Sequence, residues 1–485
     1  MDEQTKNLIS LLLTDPDPDT RRRAAEDLAE SRDPNILSVL SIALQDSNKG
    51  VGDAVSRSLL NIGGIATARA IVHHVENENM TTRNMAAKLL IKIGSDSVHA
   101  LVPYLRDANK DTRKAVVDIL GEIRSKEPVY YLLPLLQDPD PNVLVATLEA
   151  LGNIGSSEAV DLICNAFEKH PYARIIAVEA LGKIGGNSVR QYIETKFKEV
   201  LTTGDADGTY IFSLLDAIGS IGNADTLKII LANYDNIKGP LRNVLLHVMV
   251  QIIERCNLDF SFNESIRNDL LFALQNDNAD IQMSAAKGLI QFKDTTVTRA
   301  LFQSLGISEE MDFVIIAQMS NRSETFKVAV DCLEENKTKG KIHIIMFLGK
   351  LVGEYLRSYK NFSSFPIDTI ELNRAFDATA AFWQEANQED WEIIADTLFR
   401  LNCDRAVSFL SSMMIELDPW SRIHMIERLA TIPTQSSINC ISGFINDENE
   451  MVRETAISAL QATGKLTNVS SSMTWNEQLD QKMDQ

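Results

Sequence analysis

Cysteine is scarce in this chain, and so is positive charge. Five cysteines, Cys164, Cys256, Cys332, Cys403 and Cys440, are scattered through 485 residues without a Cys-x-x-Cys pair. That spacing argues against a disulfide framework or a thiolate zinc site and suits a reducing compartment. Lys and Arg number 47 against 67 Asp and Glu, a net charge of -20. Nucleic-acid binding depends on neutralising phosphates, and no local basic groove offsets the acidic balance, so nucleic acid is not an expected partner. Long apolar runs are also missing. The most apolar stretch, 342–355, is short and carries Lys350 and Glu354, so no membrane insertion is expected. The start Met1-Asp2-Glu3 has the wrong charge for a targeting peptide, which leads to an expected cytoplasmic location.

Catalytic signatures are lacking as well. Neither a phosphate-binding Gly-x-x-x-x-Gly-Lys nor Gly-x-Ser-x-Gly occurs, and His-Glu-x-x-His is absent. The histidines His73, His74, His99, His170, His247, His343 and His424 have no second His or Cys at helical i,i+4 spacing. No catalytic residue, metal or cofactor is therefore expected, and the chain reads as a non-enzyme. Aromatics make up only 6% of the residues while hydrophobic residues reach 45%, the balance expected where Leu, Ile, Val and Ala fill the space between closely packed helices.

What the chain does have is a period of roughly thirty-one residues, which divides it into about fifteen units. One tag of the period is Leu59-Leu60-Asn61-Ile62-Gly63, Leu90-Ile91-Lys92-Ile93-Gly94, Leu151-Gly152-Asn153-Ile154-Gly155, Leu181-Gly182-Lys183-Ile184-Gly185 and Ile218-Gly219-Ser220-Ile221-Gly222. After Leu120-Gly121-Glu122-Ile123 the closing glycine is replaced by Arg124. Each closing glycine is expected to leave a helix through a left-handed turn. A second tag is a polar turn, as in Asp15-Pro16-Asp17-Pro18-Asp19, Asp107-Ala108-Asn109-Lys110-Asp111, Asp138-Pro139-Asp140-Pro141-Asn142 and Asp447-Glu448-Asn449. Asp and Asn cap helix starts and proline is tolerated at the first helical position, so this turn opens the second helix of each unit. That helix places Val116, Ile119, Leu120 and Ile123 on one stripe. The expected fold is all-α, an elongated α-solenoid in which each helix-turn-helix unit buries its apolar face against its neighbours.

The string Leu105-x-Asp107-x-Asn109-x-Asp111-Thr112-Arg113-x-x-Val116-x-x-x-Leu120-Gly121-x-Ile123 and its relatives resemble HEAT repeats, of the short bacterial kind also found in phycobilisome lyases. The resemblance covers 8–222 well, 242–292 more loosely, and 404–464. It implies a right-handed superhelix, and a bacterial signalling or regulatory assembly as setting. The expected organisation is a repeat array over 1–305, degenerate repeats or a helical insertion over 306–402, further repeats over 403–464 and a disordered tail over 465–485, too polar to bury.

Several constellations carry a structural reading beside a functional one. Arginine recurs at one phase, at Arg21, Arg83, Arg113, Arg174, Arg242, Arg422 and Arg453. Family likeness implies a ladder to turn carboxylates of adjacent units, with Asp107 or Asp111 serving Arg113. Asp15-x-Asp17-x-Asp19 with Glu26 imitates a calcium loop, but Thr20 stands where that loop needs glycine, so repeat descent is the better account. The segment 365–400 holds Asp368, Glu371, Asp377, Glu385, Glu389, Asp390, Glu392 and Asp396 against Arg374 and Arg400, with aromatics interleaved. Acid steers a basic partner and aromatics anchor interface centres, which makes Phe382, Trp383, Glu385, Glu389, Asp390 and Trp391 candidate protein contacts. Trp475 in the polar tail is a further candidate. The function expected is a scaffold or adaptor for a protein partner; the alternative, from the resemblance alone, is an accessory subunit of a bilin-lyase-like enzyme.

Overall fold

The polar turns nucleate helices as their chemistry requires. At each of four turns an aspartate side chain accepts from the amide two residues on: Asp15 from Asp17 (2.8 Å), Asp46 from Asn48 (2.8 Å), Asp107 from Asn109 (2.7 Å) and Asp138 from Asp140 (2.9 Å). The residue that donates then caps the helix that follows, as Asn109 does for Asp111 and Asp140 for Asn142. A bent turn and a satisfied helix start thus come from adjacent polar side chains. The computed structural model describes residues 2–462 except 32, 34, 204–206, 321, 323, 336–339, 359–366 and 433. Among the described residues there is no strand, and the fold is an α-solenoid. Trp475 lies outside the described residues.

Two compact units are present, Met1–Phe260 and Ser261–Gln485. In the first, the second helices of successive pairs lie side by side: Lys110–Ile123 packs on Pro141–Ile154, that helix on Arg174–Ile184, and so on through Gly208–Ile221 to Pro240–Arg255. Val116, Ile119 and Leu120 are buried in this stack. The approach is close because glycine sits at the crossing. A Cβ on Gly121 would lie 2.8 Å from the Cα of Ala150, and one on Gly152 the same distance from the Cα of Ala180.

The closing glycines are largely as expected. Gly63, Gly94, Gly155 and Gly185 all have positive φ. Gly222 departs from the expectation with φ -62°; it is needed for space instead, since a Cβ there would fall 2.6 Å from the carbonyl oxygen of Ile218. Arg124 keeps the left-handed conformation of the glycine it replaces, at φ 57° and ψ 22°.

Arginine ties pair to pair, but with partners other than Asp107 or Asp111 for Arg113. Arg113 forms two parallel bonds to the carboxylate of Asp138 in the next turn, both 2.8 Å, and donates to the backbone oxygen of its own turn at Asp107. Arg21 does the same with Asp46 and the Asp15 oxygen, and Arg422 pairs with Asp447 at 2.6 Å. The Arg21 guanidinium holds Asp46 below the ordinary carboxylate range. Other members of the phase depart from the ladder. Arg83 and Arg453 bond only backbone oxygens of their own turns among the hydrogen bonds resolved, and Arg174 lies over the Phe167 ring.

In the second unit, helices continue to pair and stack through 306–402 although the turn signature is missing. Thr325–Glu334 packs on Thr369–Phe382, and Lys341–Ser358 packs broadly on Trp391–Leu401. Gly349 and Gly353 permit this, with Thr397 and Arg400 occupying the space that a Cβ would need. Pro419–Ala430 packs in the same way on Glu450–Ala462.

Candidate functional site

Between Trp391–Leu401 and Pro419–Ala430 the stacking loosens. Both are second helices of their pairs, yet they touch only slightly, unlike the neighbours on either side. The gap is a groove of about 690 Å³ lined by Asn387, Gln388, Glu389, Trp391, Trp420 and His424, among others. It continues into a narrower stretch of about 190 Å³ that reaches Asp396, Arg428 and Thr431, with Glu392, His424 and Met425 common to both. Trp391 and Glu392 face the groove from one wall and Met425 from the other.

The upper end of the groove is well braced. Asp418 caps Pro419–Ala430 through the amides of Trp420 and Ser421. The Ser421 hydroxyl and these two amides hold its carboxyl below the ordinary range. Gln388 crosses from the preceding pair and donates to Asp418 and to the Ser421 hydroxyl, fixing the distance between the two walls. Trp391 is held from behind by Trp383, whose ring lies parallel to it with centroids 5.6 Å apart and planes within 5°. Trp383 in turn meets Phe409 edge-on at 5.8 Å. Stacking of this kind locks an aromatic at low entropy cost.

The sequence candidates separate into distinct roles. Glu389 and Trp391 line the groove. Trp383, only 5% exposed, supports the wall and cannot itself meet a partner. Asp390 accepts from the Asn387 amide in a capping box, so its charge belongs to the helix start. Phe382 and Glu385 face elsewhere and share Lys341, whose ammonium lies 5.6 Å from the Phe382 ring centroid and 3.1 Å from the Glu385 carboxylate.

The expected excess of acid is mostly consumed by bases from neighbouring pairs. Asp377 is met by Arg405 and Asp396 by Arg428, while Arg374 is shared by Glu334, Asp331 and Glu371. Glu389 and Glu392 are exposed, and their carboxylates have no hydrogen bond or ion pair among the described residues. Trp391 likewise has an indole N–H without a hydrogen-bond partner. The groove is thus two aromatics beside two uncompensated carboxylates.

Trp420 was not among the sequence candidates, although it is 62% exposed at the mouth of the groove. A signal for it exists. At the second helical position after the polar turn, other units carry Asp19, Gly50, Thr81, Asp111 and Asn142, whereas this one carries a large aromatic. Those five units leave the position small or polar, with Met451 of the last pair the other exposed apolar residue there, so stacking does not require the tryptophan. A second concavity of about 940 Å³ runs past Tyr130 and Tyr131 in the first unit, but its Arg113 and Asp138 are already bonded to each other.

The calcium-like turn binds its own backbone: Asp15 and Asp17 accept from the amides of Asp17, Asp19 and Thr20. Among the described residues, no group of three or more His, Cys, Asp or Glu is placed to hold a metal ion. No described helix is long and apolar enough to cross a membrane.

A family model for HEAT repeats matches residues 5–91, 98–182 and 131–200. No curated protein matches the chain. Among solved structures, an engineered protein is 15% identical over 96% of this chain and 99% of its own, with a TM-score of 0.28. Importin beta in an ammonium sulfate condition is 11% identical over 95% of this chain and 69% of its own, with a TM-score of 0.39. The Kap95:Nup1 complex gives 12% identity over 96% and 69%, with a TM-score of 0.42.

Proposed function

We propose that the chain is a non-enzymatic scaffold or adaptor that holds a protein partner on its solenoid surface. A cytoplasmic signalling or regulatory assembly in a bacterium is the setting that the repeat resemblance suggests. The observation that carries the reading is a groove that places unpaired carboxylates beside an exposed tryptophan. At several turns arginine and aspartate are consumed in tying pair to pair, as Arg113 and Asp138 are. At the groove of the second unit Glu389 and Glu392 are left over beside an exposed Trp420, and stacking explains none of the three. Exposed aromatics ringed by charge are the usual anchors of protein recognition.

The test is recovery of the intact chain from its native cell after rapid cross-linking, with mass and stoichiometry read by light scattering and mass spectrometry. A scaffold is expected to emerge with a defined partner at fixed ratio. Recovery of the chain alone at all cross-linker doses overturns the reading.

A further inference from the structure

The proposed scaffold leaves open what kind of partner surface enters the groove, and the groove's own charge and length narrow this down. We propose that it seats an extended basic segment of the partner, with a lysine or arginine side chain laid against Trp391 and Trp420 and its charge beside Glu389 and Glu392. This rests on the scaffold reading and adds the chemistry of the guest.

Three features lead to it. The first is charge: Glu389 and Glu392 are exposed and have no partner among the described residues, so a cation arriving there displaces no existing ion pair. The second is the aromatic pair. Trp383 covers one face of Trp391, which also lines the groove, and Trp420 stands 62% exposed across from it. Tryptophan faces attract Lys and Arg through the ring quadrupole. The third is length. From Trp420 to Thr431 a helix rises about 16 Å at ~1.5 Å per residue, and both residues border the groove or its continuation. That is the reach of about five residues of extended chain. The far end holds Arg428, already paired with Asp396, and so favours a neutral residue there. The guest is therefore a short strip with its cation at the tryptophan end.

The experiment uses the full chain and defined probes: a fluorescein-labelled pentapeptide bearing arginine at one end, its glutamate counterpart, and the arginine peptide in high salt. Anisotropy should rise with the arginine peptide alone, and raising salt should weaken binding because exposed charges are screened within a Debye length of about 10 Å at 0.1 M. Glu389→Lys with Glu392→Lys should weaken binding about tenfold or more, and Trp420→Ala by a similar factor. Reversal of the exposed Glu122 and Asp118 in the first unit should leave it unchanged. Circular dichroism and melting confirm that each variant is folded; Trp420→Ala keeps all charges and so separates the aromatic contribution from general electrostatics. Absence of binding by the arginine peptide, or equal loss on reversal in the first unit, overturns the proposal. A partner recovered from cells whose binding survives both groove variants overturns it too, while leaving the scaffold standing.

Discussion

Single residues show most clearly where local rules hold and where they are overridden. Arg124 occupies a left-handed position that glycine fills in neighbouring units. A side chain in that region costs on the order of 1 kcal/mol. Arg124→Gly should therefore raise the stability of the chain by about 0.5 kcal/mol or more, and Gly155→Val should lower it by about 1 kcal/mol or more. A Cβ at Gly155 meets nothing within 4 Å, so the loss would come from backbone strain alone. Denaturant melts of both variants measure this, and Arg124→Val, at φ 57°, should also destabilise. His74 gives a pH signature. It is fully buried, and its ring Nε2 lies 2.8 Å from the Ser41 carbonyl oxygen. Burial, with the nearby His73, pushes its pKa below the ordinary 6.5. The unfolded chain then takes up a proton that the folded chain refuses, so this contribution is complete above about 6.5 and fades as pH falls toward the folded value. Melting temperature should drop through that window, and His74→Gln should flatten the drop.

At the scale of helices, the tag Leu-Gly-x-Ile-Gly proves to contain glycines of different kinds. The closing glycine was legible, because a helix end needs a left-handed residue. The inner glycine, at Gly121, Gly152, Gly182 and Gly219, was not, since its need arises only against another helix some thirty residues away. Gly121→Ala gains up to about 1 kcal/mol of helix propensity, but the added Cβ would sit 2.8 Å from the backbone of Ala150, and overpacking of this kind costs roughly 1–3 kcal/mol. Net destabilisation is expected. Gly208→Ala is the matching control, since nothing lies within 4 Å of its Cβ position; it should be neutral or slightly stabilising. Urea midpoints of the two variants should move in opposite directions or differ by at least the overpacking term.

Across the whole molecule, contacts run between neighbouring pairs within each unit. Perturbation should be correspondingly local. In hydrogen exchange, Gly152→Ala should speed exchange in Pro141–Ile154 and Arg174–Ile184 and leave Pro419–Ala430 and Glu450–Ala462 at their original rates; uniform acceleration would contradict neighbour-only coupling. The net charge of -20 gives a second view of the same division. Read along the chain, eight acids against two bases over 365–400 suggest a broadly acidic surface, but folding brings Lys341, Arg405 and Arg428 onto them and leaves Glu389 and Glu392 as the free pair in the groove. What the sequence by itself determined is the succession of capped helices and tight turns, and through its period the α-solenoid. These follow from interactions spanning a few residues, which a linear string displays directly. Only the tertiary structure decided which arginine meets which aspartate, which glycine serves packing, and that Glu389 and Trp391 join Trp420 in one groove. Those outcomes depend on faces brought together from some twenty-five to forty residues apart, and the choice among nearby partners is made by packing rather than by spacing.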